Sequence, residues 1–173
     1  MPEASEREAQ AARPRAEALD EVRAFEEQLT THGRDALRLA RFLGYSPQDA
    51  ADVVQEASIL AWRYRRSRRG PWRPWFLAIV RRVSYRQPVR WTLVPSFWRP
   101  GEEKAPEHLL GGTDIGRALT RLPAGQRAAL WLRYGRDLTY RDVSRILGVR
   151  EGAAKMLVSR ARATLRRELP QQP

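Results

Sequence analysis

Between Ser96 and Thr113 the chain places Pro100-Gly101, Pro106 and Gly111-Gly112, punctuation that no continuous helix tolerates. The 173 residues suffice for one ordinary domain or two small ones. Both sides of the break read as helical, so the expected fold is all-α: two small helical domains joined by a tether. The expected boundaries are a flexible N-terminal segment over 1–16, a first domain over 17–90, a linker over 91–112, a second domain over 113–169 and a tail over 170–173. Residues 1–14, rich in Ala, Glu and Arg with two prolines, are expected to fray.

The local signals support helices. Ser46-Pro47-Gln48-Asp49 is a capping box with proline at the first helical position. The helix it opens carries Val53, Val54, Ala57, Leu60 and Ala61 on one stripe, with Asp49, Asp52, Gln55 and Glu56 opposite. Upstream, Leu37, Ala40 and Leu43 predict a helix ending near Gly44. Downstream, Trp75, Ile79 and Val83 share a face with Phe76 and Val80 until Pro88 stops the pattern. Past the linker, Leu122-Pro123 ends one short helix and opens another that runs to about Tyr134, with Gly135 as its expected C-cap. Thr139-Tyr140-Arg141-Asp142 is a second capping box, stapled by Leu138 and Val143. Its helix buries Val143, Ile146 and Leu147 and breaks at Gly148-Val149. The last helix buries Ala154, Val158, Ala161 and Leu165 and leaves Lys155, Met156, Ser159, Arg160 and Arg162 on its other faces. Two short helices across a glycine turn, the second basic on its open face, describe a helix-turn-helix; a helical hairpin with a solvated charged face has the same spacing.

Charge narrows the function. The net charge is +12, and a polyanion is the expected partner. Residues 1–60 hold 7 basic and 12 acidic side chains, whereas residues 61–100 hold 11 arginines and no acid. Residues 114–173 hold 13 basic and 5 acidic side chains. Cysteine is absent and only His32 and His108 are histidines, so thiolate chemistry is excluded and histidine-based sites have little to draw on. Asp49, Asp52 and Glu56 lack a second carboxylate helix or a nearby histidine to complete a metal site. No nucleophile–base pair or glycine-rich phosphate loop supports an enzyme, and no cofactor is expected. Met1 to Glu8 is polar and acidic, without a signal peptide's apolar segment, and no stretch approaches the ~20 apolar residues of a membrane span.

Taken in order, these motifs resemble the extracytoplasmic-function sigma factors of the sigma-70 family. Asp49-Ala50-Ala51-Asp52-Val53-Val54-Gln55-Glu56-Ala57 with Leu60-Ala61-Trp62 resembles region 2.2. Arg73-Pro74-Trp75-Phe76-Leu77-Ala78-Ile79-Val80 resembles the region 2.3/2.4 helix. Leu122-Pro123, Gln126-Arg127, the run Leu138 to Val143, Leu147-Gly148-Val149 and Ser159-Arg160-Ala161-Arg162 resemble region 4. The resemblance implies a bacterial transcription initiation factor built from a region 2 helical bundle and a region 4 helix-turn-helix. It implies binding to core RNA polymerase, at the β′ clamp helices and the β subunit, through Asp49, Asp52, Val53, Gln55 and Glu56. It assigns the −10 element to Arg65, Arg66, Arg68, Arg69, Trp72, Arg73, Arg81, Arg82 and Arg86. The −35 element falls to Arg133, Arg150, Lys155, Met156, Ser159, Arg160 and Arg162, with Arg133 and Arg162 on phosphates. Promoter DNA and an anti-sigma factor are the other implied partners. The implied location is the cytoplasm, at the nucleoid when active or held at the membrane by the anti-sigma partner.

Some positions depart from the family pattern. Arg82 and Arg86 stand where many members carry Asn, or Asp in the second case, and Arg150 stands where Ser commonly caps. Ala153, Ala154, Met156 and Leu157 replace Thr, Val, Ser and Arg, so fewer polar groups reach base edges. That keeps an alternative in view: a sigma-like protein or helix-turn-helix regulator without autonomous promoter recognition. A conventional regulator would also need a dimerisation or effector domain, which this sequence does not display. The linker's Trp91, Leu93, Val94, Phe97 and Trp98 are expected to clasp the two domains together in the free chain. Residues 113–169 alone are expected to bind duplex DNA with an affinity that falls steeply with salt, by a log–log slope of about −0.9 per neutralised phosphate. A flat salt response in a fluorescence-anisotropy titration would refute phosphate-driven binding.

Overall fold

The computed structural model describes residues 3–86 and 114–169, with side chains from 17–85 and 114–169. Helix α1 spans Glu3–Phe42, α2 Pro47–Tyr64 and α3 Trp72–Arg86, with a single 3₁₀ turn at Arg65–Ser67. After the linker come α4 (Asp114–Arg121), α5 (Ala124–Leu130), a π-helical turn at Trp131–Gly135, α6 (Tyr140–Leu147) and α7 (Glu151–Glu168). No strand occurs among the described residues. The chain separates into two compact units, Met1–Arg34 and Asp35–Pro173. The first is a helical arm in which Thr30 and Thr31 donate to the carbonyls of Glu26 and Glu27, one turn back. Residues 3–16 are helical where fraying was expected, consistent with the strong helix propensity of Ala, Glu and Arg.

The helical sets expected on the two sides of the linker both form. The helices on both sides of the linker belong to the second unit together, and α3 packs against α6 as well as against α2. Breakers in a sequence mark where a helix stops, not which apolar faces meet afterwards. The core takes Ala36, Leu39 and Ala40 from α1, Val53, Ala57 and Ala61 from α2, and Phe76, Leu77, Val80 and Val83 from α3. From the second half it takes Leu132, Val143, Ile146, Ala154, Val158 and Ala161. Each fully buried large side chain contributes roughly 1.5–3 kcal/mol. The linker, with the apolar residues expected to clasp the halves, lies outside the described residues.

Several expected faces are shifted by one position. On α1 the stripe is Ala36-Leu39-Ala40, while Leu37 is exposed and Leu43 lies beyond the helix end. Both triplets have helical spacing, and only packing distinguishes them. On α3 Trp75 and Ile79 are half-buried and Leu77 is buried instead. Val54 and Leu60 of α2, and Leu165 of α7, are likewise half-buried.

The caps form as their sequences predict. The Asp49 amide donates to Ser46 Oγ at 3.1 Å, and the Asp142 amide donates to Thr139 Oγ1 at 3.1 Å. Each hydroxyl also donates to the same aspartate's carboxylate at 2.6 Å. Gly148 ends α6 in the left-handed region, at φ 66, where its amide donates to the Ser144 carbonyl. Gly135 behaves otherwise than expected: it belongs to the π turn, and the residue with positive φ is Asp137 at 52°. A Cβ on Gly135 would lie 2.8 Å from Cδ1 of Trp131, so the glycine makes room for an indole instead of capping a helix.

Two substitutions should therefore have opposite signs. Gly135→Ala is expected to destabilise the chain by about 1–3 kcal/mol through overpacking against Trp131. Gly125→Ala, in α5 where an added Cβ would meet nothing within 4 Å, should stabilise by up to about 1 kcal/mol. Urea denaturation followed by circular dichroism reads both.

Candidate nucleic-acid interface

Helix α2 buries Ala50, Val53, Ala57 and Ala61, which turns Asp49, Asp52 and Gln55 into solvent and leaves Glu56 half-buried. Val53, expected among the partner contacts, is fully buried and serves the core in this conformation. Its polar neighbours lie across the helix, away from that packing.

The arginine-rich stretch after α2 is ordered by its own backbone. Arg65 Nη1 donates to the Trp62 carbonyl at 2.8 Å and its guanidinium lies 3.7 Å from the centre of the Trp62 ring. Ser67 Oγ donates to the Tyr64 carbonyl, and Arg68 donates to the Gly70 carbonyl, where φ is 85°. Arg66, Arg68 and Arg69 are exposed. Trp72 opens α3 half-buried, 4.5 Å from the Phe76 ring and 6.1 Å from that of Trp75. The tryptophan is thus anchored on one side by the core and exposed on the other.

Along α3 the cations have different surroundings. Arg82 is exposed, whereas the side chain of Arg86 lies outside the described residues. Arg73 places Nε and Nη2 each 3.0 Å from Oδ2 of Asp35. Arg81 is half-buried with its guanidinium 3.0 Å from the Tyr85 ring centre, and its Nε has no hydrogen-bond partner. Burial lowers the Arg81 pKa to about 10, so it remains charged at neutral pH. It lines a cavity of about 220 Å³ with Leu43, Tyr45, Tyr85, Leu147 and Val149. Tyr45 donates its hydroxyl proton to the Ser84 carbonyl, and burial raises its pKa.

The second half brings a basic group together on one surface. Helix α7 buries Ala154, Val158 and Ala161 and exposes Lys155, Met156, Ser159, Arg160 and Arg162. Lys155 Nζ lies 3.0 Å from Glu151 and 5.8 Å from the Tyr140 ring centre. Arg133, from the π turn, sits 5.3 Å from the same ring and pairs with Asp137 at 3.2 Å. Arg162 Nη1 donates to the Tyr134 hydroxyl at 3.5 Å. Arg150 is the N-cap of α7 but makes no side-chain capping bond, leaving that end's amides open to solvent or an anion. Tyr134 and Tyr140 are the platform that spacing alone did not single out.

Three further residues had no role assigned from the sequence. Asp35 meets Arg73 on one side and Arg136 on the other, with Arg136 Nε 2.6 Å from Oδ1. That N–H is not aimed at the oxygen well enough for a hydrogen bond, so the contact is an ion pair. Arg127 is buried and donates to the Phe42 carbonyl through Nε at 3.1 Å and Nη2 at 3.0 Å. Its Nη1 donates to the carbonyls of Thr120 at 3.2 Å and Leu122 at 3.4 Å. Burial lowers its pKa to about 10, with Arg41 adding to the shift. The available signal for Arg127 was its position beside Ala128, Ala129 and Leu132 on an apolar helix face.

Among the described residues no group of three His, Cys, Asp or Glu is placed to hold a metal ion, and no helix is long and apolar enough to cross a membrane.

Residues 29–88 match the family Sigma-70 region 2, and residues 113–165 match Sigma-70, region 4. The chain is 33% identical over 153 residues to the ECF RNA polymerase sigma factor SigM of Mycobacterium tuberculosis, covering 84% of this chain and 77% of that protein. It is 30% identical over 157 residues to the ECF RNA polymerase sigma factor SigE of Mycolicibacterium smegmatis, covering 82% and 60%. The fold resembles the sigma factor RpoE of Bartonella quintana, solved in complex with the anti-sigma factor NepR, with a TM-score of 0.67, 26% identity and coverage of 87% and 99%. It also resembles CnrH, solved in complex with the cytosolic domain of CnrY, with a TM-score of 0.60, 24% identity and coverage of 84% and 86%. The chain belongs to the extracytoplasmic-function sigma factors of the sigma-70 family, transcription initiation factors that give RNA polymerase its promoter specificity.

Proposed function

We propose that three surfaces divide the work of promoter selection. Asp49, Asp52, Gln55 and Glu56 of α2 dock on the β′ clamp helices of core polymerase, with the β subunit as a further contact. The 65–69 arginines, Trp72 and the cations of α3 hold the melted −10 strand. Helix α7 enters the −35 major groove, where Lys155, Met156, Ser159 and Arg160 face the bases and Arg133 and Arg162 clamp phosphates. The observation carrying this reading is the two-sidedness of α7: small residues seat it on α5 and α6, and every assigned base-facing side chain is exposed. Physically, an aromatic edge beside cations suits an unstacked strand, whereas a helix with a free basic face suits duplex DNA.

An anti-sigma factor is the expected regulatory partner, and the chain acts in the bacterial cytoplasm. Catalysis stays with the polymerase. This protein contributes binding energy, and no cofactor or metal enters its role.

Run-off transcription with purified core polymerase and genomic fragments should yield discrete start sites only when the protein is added. Asp52→Lys with Glu56→Lys should reduce core affinity by tenfold or more, about 1.4 kcal/mol, with unchanged helicity. Unchanged affinity would remove α2 from the interface.

The −35 contacts have separable signatures. Arg160→Ala is expected to lose about 1–3 kcal/mol of discrimination at particular base pairs in competition binding. Arg162→Ala should weaken all sequences alike and lower the salt slope by about one. Uniform weakening by both variants would favour a sigma-like protein without autonomous −35 readout.

A further inference from the structure

The cavity beside α3 joins one cation to apolar walls. Leu43, Leu147, Val149 and Leu157 supply the hydrocarbon, and Arg81 supplies the charge. The Arg81 Nε is buried without a hydrogen-bond partner, and no described residue lining the cavity is acidic. The Tyr45 phenol on the same wall is no counter-charge: burial raises its pKa, and its proton goes to the Ser84 carbonyl. A desolvated guanidinium with an unused donor costs free energy that an incoming anion recovers. The Arg81 guanidinium stacks over the Tyr85 ring, 3.0 Å from its centre, which leaves its N–H edge for a planar acceptor.

We infer that this cavity is a binding site for a small apolar monocarboxylate, whose hydrocarbon body lies against the leucines and Val149 while its oxygens accept from the N–H edge of Arg81. Size sets the class. An apolar protein cavity of about 150 Å³ holds benzene. A volume of about 220 Å³ therefore takes a single ring or short branched chain with one carboxylate, about nine non-hydrogen atoms in all. Inorganic phosphate would turn oxygens against aliphatic walls, and a neutral ring would leave the Arg81 donor unused. Occupancy also bears on promoter opening, a step that rests on the assignment of α3 to the −10 element. Arg81, assigned to the melted strand, is engaged by the ligand instead. Ligand and strand compete for one guanidinium, and the ligand opposes opening by its preference for the protein without DNA.

The full chain, isotope-labelled, is titrated with benzoate and followed by its amide NMR signals. Benzoate should shift the amides of Ser84, Gly125 and Val149, which line the cavity, to saturation. Benzamide, the same size without the charge, should bind there about tenfold more weakly. Acetate, the charge without the ring, should shift these amides without saturating. Arg81→Met should bring benzoate down to the level of benzamide, and Arg81→Lys should restore part of the difference. Equal affinities for benzoate and benzamide, or equal responses to benzoate and acetate, would overturn the site. Both comparisons are made on the wild-type chain, so they decide the matter if Arg81→Met fails to fold. In run-off transcription, saturating benzoate should lower the transcript several-fold relative to the same concentration of acetate. Saturable binding with unchanged transcript would overturn the competition for Arg81. The titration contains neither DNA nor polymerase, so failure of the promoter assignment shows itself separately, as absence of transcript when no benzoate is added.

Discussion

The Asp35 carboxylate is shared between Arg73 of α3 and Arg136 at the end of the π turn, and that sharing ties groups from the two basic halves to one anion. Removing two cations and an anion from water is costly, and a paired, partly buried arrangement recovers that cost only with good geometry. Arg73 meets that requirement with a 3.0 Å hydrogen bond, whereas Arg136 contributes a close ion pair without one. Arg127 solves the same problem differently: its charge is compensated by backbone carbonyls from two segments instead of a carboxylate. Both contacts place a charged group where an apolar one would have packed without specifying orientation.

The DNA-facing half follows from a different constraint. A helix that reads bases must be held from behind by residues small enough to bring it close to its support. Ala154, Val158 and Ala161 do this for α7, against α5 and α6. Thr139 fixes where α6 begins, and left-handed Gly148 fixes where it ends, so the angle of α7 is set by turn chemistry. The Tyr134 and Tyr140 rings then gather Arg133, Lys155 and Arg162 into one basic surface. Cation–ring contacts of this kind leave the charge accessible to phosphate while limiting its rotamers. The uncapped N-terminus of α7 adds free amides at the same end.

Much of this was legible beforehand. The capping boxes at Ser46 and Thr139, the left-handed glycine at 148 and the exposed face of α7 all rest on local chemistry, because each concerns residues within a turn or two of one another. The ordered motifs also carried the family. Faces assigned by periodicity were less secure: Leu37 and Leu43 satisfied the helical spacing as well as Ala36 and Leu39 did, and Gly135 carried the composition of a cap while serving an indole.

By itself, the sequence determined the helix starts, the break between two helical sets, the charge asymmetry and the membership of the sigma-70 family. Tertiary structure alone decided that both sets share one compact unit, that Asp35 serves arginines 38 and 101 positions away, and that a buried Arg127 caps the end of α1. The physical reason is range. Capping and helical periodicity act over three or four residues and are written in adjacent letters, whereas an ion pair or a buried guanidinium requires groups that only packing brings together.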